Sequence, residues 1–254
     1  ISSAASDVYK RQYYQNAPMW NLNAGISGGG ENSTFSSSIG YLKQEGIIIQ
    51  SDYEKYNARV NGTYKKGRFT IQENLAIAHI SKKTPPTTRH ILIPTIPVKD
   101  ELGRYISTPA EAGYSTTNSD ISNPLAGIYN GDSYTRKTDI IGSLSIGLDI
   151  WKGIKYKLNL AGNYVNTHGY SHSPAFATYW DEQGNPDSRF VQPFTSLDES
   201  RGESFNYTID NLLTYNGTFK GHTFDVLLGT SWMREYFRDM SLSLIHISSP
   251  RDRG

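Results

Sequence analysis

Three neighbouring carboxylate pairs, Asp100/Glu101, Asp181/Glu182 and Asp198/Glu199, come nearest to a catalytic constellation in this chain. Two acids cleave a glycoside only when held at a fixed separation with one of them kept protonated. Adjacent acids in polar connecting segments meet neither condition and are read as solvated. The run Asp181-Glu182-Gln183-Gly184-Asn185 has the oxygens and the glycine turn of a calcium loop, but a plain turn is the simpler reading. His168 and His172 stand four apart at an expected strand end, are not expected to share a face there, and lack further ligands. Gly25, Gly28 and Gly30 precede no helix and so make no phosphate cradle. The chain has no cysteine, which removes thiol nucleophiles, thiolate metal sites and disulfides. No catalytic residue, metal site or cofactor is expected, and the chain is read as a non-enzyme.

Aromatic residues are the more informative group. Tyr105, Tyr114, Tyr129, Tyr134, Tyr170, Phe176, Tyr179, Trp180, Phe190 and Phe194 all fall in two long polar stretches. Flat rings beside Asn, Asp and Arg suit the faces of sugars, while any single ring serves equally to pack one loop on another. As a set, with Tyr105, Tyr129, Tyr134, Tyr170, Tyr179 and Trp180 foremost, they are the expected ligand-binding surface.

The elements that must position these rings follow a period of two. Tyr56, Ala58, Val60, Gly62 and Tyr64 alternate with Asn57, Arg59, Asn61 and Thr63. Leu144, Ile146 and Leu148 alternate with Ser145 and Gly147, and Tyr156, Leu158 and Leu160 with Lys155, Lys157 and Asn159. Such strands are apolar on one side and wet on the other. Glu73, on the apolar side with Phe69, Ile71, Leu75 and Ile77, breaks the rule without a reason visible in the sequence.

The pattern predicts eight strands: 20–28, 33–43, 53–64, 68–80, 136–150, 154–168, 204–216 and 222–236. Short glycine turns close alternate connections, at Gly28–Asn32, Tyr64–Gly67, Trp151–Gly153 and Phe219–Gly221. On the opposite side the connections are long, roughly 82–134 and 169–203, with a shorter one near 46–52. Tyr64, Phe69, Trp151, Tyr156, Phe219 and Phe224 flank the short turns, and Tyr41, Tyr53, Tyr164, Tyr207, Trp232 and Tyr236 flank the other strand ends. Short turns at one end, long loops at the other and an aromatic belt at each mark an outer-membrane β-barrel.

Bulk properties agree. Only 37% of the residues are hydrophobic while 12% are aromatic, and the mean hydropathy is −0.53, as suits a wall with one greasy face. A formal charge of +1 creates no field for nucleic acid, which is excluded as a partner. No apolar run is long enough for a transmembrane helix. The fold class expected is all-β: an antiparallel transmembrane β-barrel wall of about eight strands from a larger barrel, present as an open curved sheet.

The run STFSSSIGYLKQEGIIIQSDYEKYNARVN (33–61) resembles the early barrel of the SusC/RagA family of TonB-linked outer-membrane proteins of Bacteroidetes. So do Pro94-Thr95-Ile96-Pro97-Val98 with Asp100 and Gly103, Ser122-Asn123-Pro124-Leu125-Ala126, Asp210-Asn211-Leu212-Leu213-Thr214-Tyr215, and His222-Thr223-Phe224 leading to Leu228-Gly229. The similarity covers most of residues 17–240. It implies a plugged barrel of about 22 strands in outer-membrane lipid, with a SusD-like lipoprotein over its mouth and the TonB complex supplying energy. The implied cargo is an oligosaccharide or a peptide. The domain reading is 13–240 as partial TonB-dependent receptor barrel, with 1–12 and 241–254 as non-native tails. DVYKRQ (7–12) and LIHISSPRDRG (244–254) resemble translated sequencing adaptors, and an internal fragment is expected. The rival readings are a passive porin-type barrel and a soluble β-rich adhesin or carbohydrate-binding module.

Overall fold

The computed structural model describes residues 13–85, 99–106, 125, 128–129, 131–175, 179–180, 184–187 and 194–245. Eight long strands form one sheet: β1 (Met19–Gly29), β2 (Ser33–Glu45), β3 (Asp52–Lys66), β4 (Phe69–Lys83), β5 (Asp132–Trp151), β6 (Ile154–Ser173), β9 (Ser196–Phe219) and β10 (His222–Ile245). Two short strands, β7 (Tyr179–Trp180) and β8 (Pro186–Asp187), pair within the β6–β9 connection. The eight follow one another as an antiparallel meander, each bonded to its neighbours in sequence order. Strand number, order and turn polarity are those the alternation predicts.

Turn chemistry sets the short hairpins. Gly67 (φ 59°) opens a two-residue loop between Lys66 and Phe69. Lys220 (φ 50°) and Gly221 (φ 81°) both lie in the left-handed region, the requirement of a type I′ turn. At β5–β6 the register slips between Asp149 and Trp151 and Gly153 takes φ 79°, the pattern of a turn followed by a glycine bulge.

The strands are strongly sheared. The direct-pair row that starts at Ser33, beside the first short turn, passes through Tyr64, Ile71, Ile146, Leu158 and Asn211. It meets β10 at Thr230, eight positions along from His222, where that strand begins. A steady stagger of this kind is what tilts strands against a barrel axis.

One face of the sheet carries the apolar rows, such as Ala24–Ile39–Ala58–Ile77–Ile140–Tyr164–Phe205–Tyr236. The other carries rows such as Gly29–Thr34–Thr63–Gln72–Ser145–Asn159–Asp210–Ser231. Polar side chains bond one another across the second face, Asn61 Nδ2 to Ser36 Oγ (3.1 Å) and Ser231 Oγ to Asp210 Oδ1 (2.7 Å). Apolar side chains of the first face are bare: Leu22, Ile39 and Leu228 are each more than 60% exposed. Among the described residues the buried hydrophobics are Ile106, Leu125 and Ile128, all in the β4–β5 connection. Leu144 and Leu158 are half-buried and Val226 is exposed. No second sheet covers them among the described residues, so the two-sheet sandwich expected of a soluble adhesin is not what forms.

Two polar residues on the apolar face have local answers. Asn211 accepts a hydrogen bond from the Tyr156 hydroxyl at 2.6 Å. Glu73 stands opposite Gly62, and its side chain occupies the place a Cβ there would need, with Oε1 at 2.7 Å from that position.

The strands differ from expectation in length. β5 and β6 have 20 residues each and β9 and β10 have 24, about twice the 9–11 that cross a bilayer. The surplus lies at the long-loop end. Segments 132–135, 169–173 and 196–203, expected in connections, are strand, and β10 continues past 240 to Ile245.

Candidate functional site: the aromatic rim at the long-loop end

The six rings singled out from the sequence sort into two groups. Tyr105, Tyr129 and Trp180 belong to a platform built by the two long connections. Lys99 and Tyr105 bridge across a tight turn closed by Asp100 N–H to Arg104 O (2.9 Å) and Gly103 N–H to Asp100 O (3.0 Å). The Asp100 carboxylate accepts from the backbone N–H of Leu102 and Arg104 at 2.9 and 2.8 Å and pairs with Arg104 Nε at 2.6 Å. Loss of solvent pushes the Asp100 carboxyl up, but the bonds from Arg104 and Leu102 outweigh that and leave it below its ordinary value. The acid of the Asp100/Glu101 pair is therefore committed to a turn.

From that turn two cations lie on rings. Arg104 Cζ is 3.8 Å from the centroid of Trp180, and Lys99 Nζ is 4.7 Å from that of Tyr105 and 5.8 Å from that of Tyr129. The Trp180 backbone N–H donates to the Tyr105 carbonyl oxygen at 3.1 Å, and Ile106 bridges Trp180, which joins the two connections. Burial and the neighbouring Tyr129 raise the Tyr105 hydroxyl above its ordinary value. Tyr13, Ile49 and Tyr105 pack on the buried Leu125 and anchor the platform to the β2–β3 connection. The backbone of Tyr179 pairs with Asp187.

Tyr134 and Tyr170 form the second group, in β5 and β6 rather than in loops. Their rings stack at 4.9 Å and 14°. Arg136 lies over Tyr134 at 4.3 Å, and His168 meets the same ring edge-on at 5.8 Å. Glu199 takes His168 Nε2 and Arg201 Nη2, each at 2.9 Å. The hydrogen bond from Arg201 lowers the Glu199 carboxyl most; lost solvent raises it, and the hydrogen bond from His168 with the charges of both partners brings the balance below its ordinary value. By alternation from Ile140, Tyr164 and Phe205, all these side chains belong to the apolar-row face, beyond its outer aromatic row. They do not share the polar face.

Two expectations change here. His168 and His172 do share a face, because positions four apart in a strand point the same way. About 13 Å of strand between them, not orientation, keeps them from one metal; among the described residues no cluster fit for a metal occurs. Asp198 and Glu199, adjacent in β9, point to opposite faces. The rings at 114, 176 and 190 and the Asp181/Glu182 pair lie outside the described residues. The sequence reading missed the cations Lys99, Arg104, Arg136 and Arg201. For Arg136 a signal existed: two positions from Tyr134 in a strand means one face.

No family model matches the chain. The TonB-dependent receptor P26 of Formosa agariphila is 27% identical over 141 residues, which are 51% of this chain and 13% of that protein. The RagAB peptide transporter superposes with a TM-score of 0.73 at 16% identity, over 96% of this chain and 27% of the other. The RagAB peptide importer in its closed-closed state gives 0.74 at 16% identity, over the same shares. These likenesses show the fold of the wall, which superposes on part of each RagAB structure. The superposition takes in nearly the whole meander, while the chain spans 13% of the relative and 27% of the solved structures. Among the described residues no helix is long and apolar enough to cross a membrane, which leaves crossing by strands untouched.

Proposed function

We propose that this SusC/RagA-type wall forms part of an outer-membrane importer energised through TonB, its apolar rows against lipid and its polar rows lining an aqueous lumen. The single observation that carries the proposal is the two-faced, one-layer sheet whose apolar rows no other part of the described chain covers. Exposed rows of Leu, Ile and aromatic side chains on this scale need a non-aqueous solvent. Import moves a solute and makes or breaks no bond. We read the cargo as an oligosaccharide, and the peptide named for the RagAB neighbours supports a peptide as the second reading. A SusD-like lipoprotein closing over the long-loop end fits the platform at Tyr105, Tyr129 and Trp180, which is the ligand surface in this reading. Tyr134 and Tyr170, on the lipid-side face, take no part in it.

The chain has no cysteine of its own, so single cysteines report cleanly. In the complete receptor on a cysteine-free background, a charged maleimide added to outer membranes should label Cys at Ser143 or Ala161 and spare Cys at Leu144 or Leu160. Equal labelling of neighbours would refute the two-solvent wall. Uptake of a fluorescent oligosaccharide or peptide that survives Trp180→Ala and Tyr105→Ala unchanged would remove the platform as the ligand surface.

A further inference from the structure

The polar face sorts its charges from strand to strand. Carried through the register, β1–β4 place Lys55, Arg59, Lys65 and Lys82 on it and no acid. β9 and β10 place Asp198, Asp210, Asp225, Glu235 and Asp239 on it and no base. The two strands between them hold both signs and settle them locally, Lys137 on Asp139 at 3.4 Å and Lys155 on Asp149 at 3.7 Å, with Lys157 left over. The other face is mixed, and there Lys83 pairs with Asp132 and Arg201 with Glu199. A face that is basic at one side and acidic at the other carries a field along itself, which a low-dielectric wall concentrates in the adjoining water.

Two of the acids are engaged, Asp210 by the Ser231 hydroxyl at 2.7 Å and Asp225 by Asn216. Among the described residues Lys82 and Asp198 make no ion pair. Both are exposed and stand near the long-loop ends of their strands. Lys82 pairs with Thr135, Thr135 with Gly169, and Gly169 with Ser200, two positions from Asp198. Three strand spacings and two residues put their Cα atoms about 16 Å apart along the sheet. That exceeds the screening length of physiological salt, about 8 Å, so neither charge satisfies the other. Between them lies a hollow of about 300 Å³, lined on this face by Ser133, Thr135, Gly169, Ser171, Ser200 and Asp198. Gly169 keeps its floor low, since a Cβ there would stand 2.5 Å from Ser200 Oγ. Hydroxyls both donate and accept, which suits a backbone that presents N–H and C=O groups in turn.

We infer that this hollow binds a linear zwitterion, a short peptide with both ends free, its carboxylate against Lys82 and its ammonium against Asp198. Five extended residues reach about 17 Å, the separation of the two charges. An uncharged oligosaccharide finds hydroxyl partners here but has no end for either charge. The inference rests on the aqueous-lumen reading of the polar face given above, and it selects the peptide between the two cargoes considered there.

The test uses the complete receptor, purified folded in detergent, and the peptide Gly-Ser-Gly-Ser-Gly in free, N-acetylated and C-amidated forms, with affinity read by isothermal titration calorimetry. Blocking either end should weaken binding roughly fivefold to tenfold. Lys82→Gln should weaken the free peptide by a similar factor and leave binding of the C-amidated peptide unchanged. Asp198→Asn should weaken the free peptide likewise and leave binding of the N-acetylated peptide unchanged. Lys83→Gln and Glu199→Gln remove the same charges one position away on the opposite face and should change nothing. The proposal is overturned if the free peptide does not bind, if blocked and free peptides bind alike, or if uncharged maltopentaose binds as tightly as the free peptide. It is also overturned if Lys82→Gln or Asp198→Asn weakens all three peptides equally, or if the opposite-face variants match them. Heat-modifiable mobility reports the fold of each variant, and should one fail to fold, the three peptides on wild type still decide. A receptor whose Ser143 and Leu144 positions label alike with the charged maleimide fails at the earlier step, and the wall reading falls with it; a receptor that labels as expected but fails the peptide series loses this inference alone.

Discussion

Leu144 and Ser143 are adjacent, and the wall reading gives them opposite fates. Leu144 pairs with Leu160, six positions from Ile154 at the short turn. At roughly 2.6 Å of climb per residue that is about 15 Å above the turn, within a few ångströms of the middle of an apolar band about 25 Å tall. An arginine on the lipid face at that depth costs about 2–4 kcal/mol. Ser143, one position away, stands in a row with Asn61, Asn74 and Thr208, where an arginine meets water and costs about 0–1 kcal/mol. Leu144→Arg should therefore lower the folded-to-unfolded ratio of the receptor by roughly thirtyfold to several hundredfold, and Ser143→Arg by less than about tenfold. Urea titration of the receptor in phosphatidylcholine vesicles, followed by heat-modifiable mobility, measures both. Equal costs, or a larger cost for Ser143→Arg, would refute the assignment of faces and everything built on it.

Gly153 combines φ 79° with a backbone oxygen, that of Asn216, 2.1 Å from where a Cβ would stand. Gly153→Val should cost more than about 1 kcal/mol and slow closure of the β5–β6 hairpin in the same titration, whereas Gly67→Ala, with open space around it, meets only the φ penalty. Glu199 has a folded-state pKa below its unfolded value, so its contribution is present above the unfolded pKa, about 4.5, and is lost as pH falls through the folded one. Amide exchange in the upper β6–β9 hairpin should accelerate as pH drops below that point, after correction for intrinsic exchange, and Glu199→Gln should abolish the extra acceleration.

In the membrane-wall reading, the lower halves of the strands were legible because two solvents wrote their pattern. Between the aromatic rows that reading sets each residue against either hydrocarbon or water, so Leu144, Ile146 and Leu148 contrast with Ser145 and Gly147. Above the outer row it sets both faces against water, and the contrast that reveals a strand is gone. Asp132 to Thr135 and Glu199 to Glu203 then read as loop although the backbone continues the same ladder for 20 residues or more. What survives there is geometry: positions two apart still share a face, whatever their chemistry. Carrying the register upward from Ile140 places Thr138, Arg136 and Tyr134 together, and from Phe205 it places Glu203, Arg201 and Glu199 together, the side chains that the structure finds on one surface. Glu73 shows the converse limit. Its place on the apolar face follows from period two, but the vacancy opposite it belongs to Gly62 on another strand, and only the register between β3 and β4 brings them together. Cross-strand pairing was also what turned the platform rings from candidates into a structure, since Arg104 and Trp180 come from different connections. Alternation thus reports the solvent on each face, while partners across strands depend on register, which hairpin turns such as Lys220-Gly221 set locally and which long connections leave unwritten.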